Sequence, residues 1–152
     1  MKVYLAGPLF SVAERALLED LCHHMEQDGF DVFLPHRDVG GPTTPHEIFS
    51  ADYAGLATAN VLVAWLDGSA IDDGTACEIG MFSELCRTDP ARHYGLIGFL
   101  TDWRAVARRT VGLAGAGLNL FVVGAIERYG AICWTQEELL DRLREMRRHA
   151  FR

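Results

Sequence analysis

Three carboxylates that could take part in chemistry lie close together in the middle of the chain, around the stretch "DDGTACEIG" at residues 72–80. Asp67, Asp72 and Glu78 fall within a dozen residues, and such a cluster is costly through mutual repulsion unless a ligand or hydrogen bonds compensate. Carboxylates can hydrogen-bond sugar hydroxyls, and one of them can attack or stabilise an oxocarbenium-like anomeric carbon. These residue types therefore indicate chemistry on a neutral glycoside.

Glu78 has two interpretations on the sequence alone. Thr75 and Glu78 satisfy the capping-box pattern, in which a glutamate binds the first amide of its own helix. Alternatively, Glu78 shares a helical face with Phe82 and Leu85, which directs its carboxylate along a buried stripe. Asp72 and Asp73 also suit a helix start, where acids are favoured by the exposed amides, and Asp67-Gly68 is a common turn pair.

The charge, the loop sequences and the cysteine spacing argue against several other classes of protein. The net charge of −7 and the pI near 5.3 argue against a partner that is a nucleic acid polymer, because such binders carry a basic field. The loops contain neither GxGxxG nor GxxxxGK[ST], so nicotinamide and P-loop chemistry are disfavoured. The four cysteines have no zinc-ligand spacing with the histidines, and we expect reduced thiols and no metal.

The amino-terminal apolar run is too short for a signal peptide, and no run of about 18 apolar residues occurs. We therefore expect a cytoplasmic protein without a membrane partner. The length of 152 residues predicts a single domain, residues 1–152.

Short apolar segments alternate with segments of helical spacing, which predicts an α/β fold around a parallel sheet. The predicted strands are "KVYLAG", "FDVFLP", "VLVAWLDG", "YGLIGFL" and "AICWT". Helices are predicted after Ser11, around residues 48–58, 77–87 and 119–128, and after Thr135. Residues 36–46 are predicted to be a polar loop, and residues 101–119 a Gly-rich loop or mobile segment.

In open parallel sheets, ligands bind beyond the carboxyl ends of the strands, where the strand order reverses. The candidate residues lie just after a strand or in the first turn of the next helix, so we expect them at one rim. They are Gly7, His36, Asp67, Asp72, Glu78 and Asp102.

The chain resembles the nucleoside 2-deoxyribosyltransferase family in several motifs that occur in order over about residues 2–128. These are "VYLAGPLF", "VLVAWLDG" followed by "DDGTACEIG", "TDWR" and "NLFVVGAIE". The resemblance implies a flavodoxin-like, doubly wound, five-stranded parallel sheet with helices on both faces. It also implies exchange of the base on a 2'-deoxynucleoside without a cofactor, so that the partners are a small-molecule nucleoside and a nucleobase.

The family's site residues can be carried over where the motifs match. The resemblance implies that Glu78 is the nucleophile, that Tyr4 orients it, and that Asp72 binds sugar hydroxyls. The asparagine that a neighbouring subunit contributes to the 5' side of the sugar falls on Asn119, which implies a homo-oligomer, a dimer or a multiple of dimers.

The chain departs from the family at the leaving base. An aspartate that contacts this base in some members aligns with Asn60, which cannot donate a proton as a carboxylic acid can. His36 and Asp38 are candidates for base contacts, with a surface turn as the alternative. Gly7, Asp67 and Gly74 complete the predicted substrate contacts.

Two other functions remain open on the sequence. Water could replace the acceptor base, which would make the protein a nucleoside or nucleotide N-glycosidase on the same fold. A non-catalytic nucleoside sensor is the second alternative, although a sensor needs no nucleophile aimed at C1'.

Overall fold

The computed structural model describes residues 1–41 and 44–150. Five parallel strands form one sheet in the order β2-β1-β3-β4-β5. The strands are β1 (Lys2–Ala6), β2 (Asp31–Phe33), β3 (Val61–Trp65), β4 (Gly95–Phe99) and β5 (Gly130–Cys133). This order is that of the flavodoxin-like doubly wound fold, with its switch point between β1 and β3, as the sequence predicted.

Seven α-helices and one 3-10 turn (Ala114–Gly117) connect the strands in the described part of the chain. The helices are α1 (Val12–Gln27), α2 (Pro35–Asp38), α3 (Pro45–Thr58), α4 (Asp73–Thr88), α5 (Trp103–Thr110), α6 (Leu120–Tyr129) and α7 (Gln136–Ala150). No helix in residues 1–41 and 44–150 is both long enough and apolar enough to cross a lipid bilayer.

The sheet separates two hydrophobic cores, because side chains alternate between its faces along each strand. On one face, α1 and α7 cover the strands with Leu18, Leu21, Met25, Leu139 and Leu143. On the other face, α3, α4, α5 and α6 contribute Leu56, Ile79, Phe82, Ala105 and Ile126. Strand β3 is buried on both faces, as its continuous apolar sequence predicted.

The cap of α1 is confirmed: Ser11 and Glu14 form a capping box with reciprocal hydrogen bonds. The expectation for residues 101–119 was wrong, because α5 and the 3-10 turn occupy most of this segment. Asp102 caps α5 by accepting a hydrogen bond from the Arg104 amide at 2.8 Å. The polar loop predicted for residues 36–46 contains the short helix α2 and the start of α3, while its residues 42 and 43 lie outside the described part.

Candidate active site

Glu78 meets Tyr4 at the switch point of the sheet. The Tyr4 hydroxyl donates a hydrogen bond of 2.5 Å to Oε1 of Glu78. Tyr4 lies in β1, fully buried, with its ring stacked on Phe33 at a centroid distance of 5.2 Å. Glu78 lies in the second turn of α4, the helix that follows β3. Because β1 and β3 are neighbours, the sheet brings a donor and a carboxylate together across 74 residues of sequence.

The start of α4 is held by a different acid. Asp72 is the N-cap, and its Oδ2 accepts hydrogen bonds from the Thr75 amide at 2.9 Å and the Thr75 hydroxyl at 3.0 Å. Thr75 is therefore inside the helix, and the capping-box interpretation of Thr75 and Glu78 is wrong. The two acids have separate tasks, since Asp72 begins the helix while the carboxylate of Glu78 is directed to the sheet.

The surroundings of Glu78 make its ionisation difficult. Burial raises the pKa of Glu78 from 4.5 to about 7. The hydrogen bond from Tyr4 opposes this rise, whereas the negative charges of Asp52 and Asp72 add to it. Burial and the neighbouring Glu78 carboxylate raise the pKa of Tyr4, which therefore stays a neutral hydrogen-bond donor. A carboxylic acid with a pKa near neutral is typical of functional sites.

Asp52, on α3, is a member of this site that the sequence interpretation missed. Its Oδ1 is buried and has no hydrogen-bond partner among the residues that the structure describes. Burial raises the pKa of Asp52, and its charge also raises the pKa of Glu78. A sequence signal existed, because Asp52 lies four residues after Ile48 and four before Leu56, on one helical face. A buried carboxyl oxygen without a donor is suited to a ligand.

Two adjoining cavities border Asp52 at the carboxyl edge of the sheet. The first has a volume of about 150 Å³ and is lined by Phe49, Asp52, Tyr53, Leu56, Gly74, Cys77, Glu78 and Met81. The second has a volume of about 270 Å³ and is lined by Leu9, Pro35, His36, Val39, Gly41, Ile48 and Asp52. We call them the glutamate cavity and the histidine cavity. Predicted contacts Gly74 and His36 therefore lie at the cavities.

Gly7 directs the chain out of β1 towards this edge. A Cβ atom at Gly7 would lie 2.9 Å from Leu18 Cδ2 and 3.3 Å from Trp65 Cβ, so a side chain there would displace the packing of α1 and β3. The structure thus gives Gly7 a packing role at the rim of the site.

Asp67 and Asp38 have partners within the protein. Asp67 accepts hydrogen bonds from the Thr101 amide at 2.6 Å, the Asp102 amide at 2.9 Å and the Thr101 hydroxyl, and so joins the loops after β3 and β4. Asp38 accepts a hydrogen bond from the Leu34 amide at 2.8 Å and pairs with Arg37. Both side chains stabilise loops, and neither lines the two cavities.

Asn60 lies at the opposite edge of the sheet, which corrects its assignment to the leaving base. Its Oδ1 accepts a hydrogen bond from the Lys2 amide at 2.8 Å, and its Nδ2 donates one to the Arg92 carbonyl at 3.0 Å. It precedes β3, whereas the cavities lie beyond the other ends of the strands. Asn60 therefore joins β1 to the chain before β4.

Asn119 caps α6, with Oδ1 accepting hydrogen bonds from the Phe121 amide at 3.0 Å and the Val122 amide at 3.4 Å. It does not line either cavity of its own chain. Asn119 is exposed, and the next two side chains are apolar and exposed, Leu120 at 60% and Phe121 at 89%. An apolar exposed surface of this kind is typical of an interface between proteins.

Within residues 1–41 and 44–150, no group of three or more His, Cys, Asp or Glu side chains is placed so that it could hold a metal ion. All four cysteines are free thiols, and Cys77 alone among them is exposed. The carboxyl and thiol side chains at the glutamate cavity are those of Asp52, Glu78 and Cys77, with Tyr4 hydrogen-bonded to Glu78.

Comparisons with known proteins identify the family of the chain. A profile of the family described as nucleoside 2-deoxyribosyltransferase matches residues 3–139. A conserved protein from Enterococcus faecalis V583 has a crystal structure with 28% identity and a TM-score of 0.76, over 95% of this chain and 98% of the other. No curated protein gives a significant match.

Two further solved structures share the fold. A 2-deoxyribosyltransferase from Bacillus psychrosaccharolyticus has 18% identity and a TM-score of 0.68, over 93% of this chain and 91% of the other. The CMP N-glycosidase BcmB from Clostridium botulinum has 20% identity and a TM-score of 0.55, over 95% and 98%. With its sheet order and its family profile in agreement, the chain belongs to the nucleoside 2-deoxyribosyltransferase family.

Proposed function

We propose that this protein cleaves the N-glycosidic bond of a 2'-deoxynucleoside through a covalent glycosyl-glutamate and transfers the sugar to another nucleobase. One observation carries the proposal: a desolvated carboxylate, Glu78, is held by Tyr4 at a cavity that it shares with a second, half-buried acid, Asp52. Two carboxyl groups beside one cavity suit glycoside chemistry, in which one attacks the anomeric carbon and the other acts as general acid and base.

The two acids differ in which protonation state their surroundings favour. The charge of Asp52 repels that of Glu78, and burial raises the pKa of both acids, that of Glu78 to about 7. The Tyr4 hydroxyl donates to Glu78 and stabilises its charge, whereas Asp52 Oδ1 has no donor within the described residues. In the reactive form we assign the negative charge to Glu78, which has the Tyr4 donor, and the proton to Asp52. This arrangement gives an ionised nucleophile beside a neutral acid.

The reaction then proceeds by double displacement. Glu78 attacks C1' of the sugar, the bond from C1' to the base nitrogen breaks, and Asp52 gives its proton to the departing base. An incoming base gives its proton to the Asp52 carboxylate and attacks C1', and the bond to Glu78 breaks. Two inversions at C1' give net retention. Asp52 thus supplies the leaving-base contact that Asn60 cannot.

The remaining predicted contacts concern the sugar. Asp72 uses Oδ2 to cap α4, and Oδ1 is the oxygen that we assign to a sugar hydroxyl. The family resemblance assigns Asn119 to the 5' side of a sugar in a neighbouring subunit, and its exposed position away from its own cavities is compatible with that role. The site is then complete only in a homo-oligomer, and the steps described need no cofactor.

Hydrolysis is the second candidate activity. Phe49 and Tyr53, which line the glutamate cavity, are 51% and 42% exposed, so in a single chain water can reach the cavity rim. A nucleotide substrate has less support, because the residue that we assign to the 5' side of the sugar, Asn119, is a neutral amide and does not offset the charge of a phosphate.

The test is incubation with a 2'-deoxynucleoside, with and without a second free base. A new nucleoside shows transfer, and free 2-deoxyribose shows hydrolysis. Without an acceptor base, the intact mass of the protein should increase by one 2-deoxyribosyl group on Glu78. Absence of turnover with every base tested would contradict the proposal and support a nucleoside sensor.

Glu78→Ala should abolish turnover while leaving the fold unchanged. Glu84→Ala is the matched control, because Glu84 lies on the same helix with its side chain 58% exposed and paired with Arg87. Retained activity in Glu78→Ala would remove the proposed nucleophile.

A further inference from the structure

The histidine cavity combines apolar walls with two polar groups. Leu9, Pro35, Val39 and Ile48 supply the apolar surface, while His36 and Asp52 supply the polar atoms. Because Asp52 also borders the glutamate cavity, the two cavities adjoin at the acid that we assign to the leaving base. A flat apolar ring with polar edges fits such a lining. The base of the substrate is accordingly assigned to the histidine cavity. This assignment rests on the proposed function.

The ring of His36 is oriented by a carboxylate on another helix. His36 Nε2 lies 3.2 Å from Oε1 of Glu19 on α1, and the His36 side chain is 12% exposed. An ionised carboxylate only accepts hydrogen bonds, so the proton of the neutral imidazole belongs on Nε2. The other ring nitrogen, Nδ1, then carries a lone pair.

Nδ1 of His36 is buried and lacks a hydrogen-bond partner within residues 1–41 and 44–150. The nearest strong donor in sequence, Arg37, is committed elsewhere, to Glu26, Asp38 and the Val32 carbonyl. Leaving a buried acceptor without a donor is unfavourable, and such an atom on a side chain that lines a cavity is suited to an N–H group of a ligand.

We propose that Nδ1 of His36 accepts a hydrogen bond from the exocyclic amino group of the substrate's base. The protein should then prefer bases that carry this amino group, adenine and cytosine, over their oxo counterparts, hypoxanthine and uracil. An oxo group would place its lone pairs against the lone pair of Nδ1. His36 is thereby a specificity-determining residue, and Glu19 is a positioning residue that acts through it.

Two matched pairs of substrates test the preference. We expect kcat/KM for 2'-deoxyadenosine to exceed that for 2'-deoxyinosine by roughly 10-fold to 100-fold, and the same for 2'-deoxycytidine over 2'-deoxyuridine. His36→Leu should reduce each ratio by about 10-fold or more, mainly through the amino substrates. The intrinsic reactivity of each base cancels when the ratio in the variant is divided by the ratio in the wild type.

His24→Leu is the matched control, because His24 is also a histidine beside an acid of α1, Asp20. It does not line either cavity and should keep the wild-type ratio. Glu19→Gln changes an exposed side chain and provides a second test should His36→Leu fold poorly. The amide of the new glutamine can donate a hydrogen bond to Nε2 of His36, which permits the tautomer with its proton on Nδ1. The ratio of kcat/KM for amino over oxo substrates should then fall. The proposal would be overturned if His36→Leu and Glu19→Gln both kept the wild-type ratio of amino over oxo substrates. A preference of the wild type for the oxo bases would also overturn it.

Calorimetric binding of the same nucleosides to Glu78→Ala separates this inference from the proposed function. Tighter binding of the amino nucleosides without turnover in the wild type would support the base contact and contradict the transferase. Turnover that does not distinguish amino from oxo bases, with equal binding, would support the transferase and overturn the role of His36.

Discussion

The two edges of the sheet both carry buried polar groups, but the groups are satisfied to very different extents. At the amino edge, Asn60 bonds the Lys2 amide and the Arg92 carbonyl, and the buried His93 ring contacts the Ala59 carbonyl at 2.9 Å. At the carboxyl edge, Asp52 Oδ1 has no partner in the described chain, and Glu78 keeps a pKa of about 7. The same sheet thus has satisfied polar atoms around Asn60 and His93, and polar atoms suited to a ligand at Asp52 and Glu78.

This difference separates structural from functional polar residues better than residue type does. A buried hydrogen-bonding group stabilises a fold when its partners are complete and costs free energy when they are not. Variants at the amino edge should therefore lower stability and leave catalysis intact. Variants of Asp52 and Glu78, the two acids at the cavities, should lower catalysis without lowering stability.

Among the following variants, Asp52→Asn should have the largest effect on catalysis. Loss of the acid that protonates the leaving base should lower kcat by about 1,000-fold. The loss of kcat should be smaller for a nucleoside whose base leaves without protonation than for one whose base must be protonated. Steady-state kinetics on one nucleoside of each kind measures the two losses. Equal losses on the two substrates would show that Asp52 does not act as the acid.

Glu78→Gln should increase stability at alkaline pH. The pKa of Glu78 in the folded protein, about 7, exceeds its ordinary value of 4.5, so ionisation destabilises the fold as pH rises through this window. The difference corresponds to about 3 kcal/mol at most. Urea unfolding at pH 4.5 and pH 8 should show the variant gaining on the wild type as pH rises. Glu84→Gln, at an exposed ion pair, should show no such gain.

Asn60→Ala should lower the free energy of unfolding by about 2 kcal/mol, because two hydrogen bonds are lost and their backbone partners become unsatisfied. Its kcat/KM per folded molecule should remain that of the wild type. Urea unfolding and an activity assay on the same sample check both statements. A selective loss of activity would return Asn60 to the substrate site and weaken the contrast between the two edges.

Tyr4→Phe should shift the pH profile. The Tyr4 hydroxyl lowers the pKa of Glu78, so its removal should raise that pKa further. A hydrogen bond to a charged group contributes about 1.5 kcal/mol, so the acidic limb of kcat/KM should move up by about one pH unit. The stacking on Phe33 is available to phenylalanine as well, which makes the variant conservative. An unmoved limb would mean that the acidic limb does not report Glu78.

The sequence predicted the parts of the fold that follow from local patterns. Five apolar segments gave five strands, and the Ser11 and Glu14 pattern gave the observed capping box. The α5 helix was missed because it has only eight residues, and the glycines that follow it indicated a loop. Such a helix depends on its cap, Asp102, and on its packing against the rest of the fold.

The site was predictable only where a local signal existed. Glu78 stood out because an acid occupied an apolar helical stripe, and Asp52 shows the same signal between Ile48 and Leu56. Asn60 was misassigned because the alignment with the family was preferred over its position directly before the predicted strand "VLVAWLDG", which corresponds to the amino edge of the sheet. That Asp67 and Asp38 have internal partners is a property of the folded loops, and residue type alone does not show it.

The Tyr4–Glu78 hydrogen bond has a consequence for the newly made chain. Its two ends are 74 residues apart, and they meet only after the first and third strands have paired and the following helix has docked. A chain that is partly synthesised or partly unfolded therefore holds its glutamate without its tyrosine. During refolding, recovery of catalysis should coincide with assembly of this part of the sheet and should never precede it.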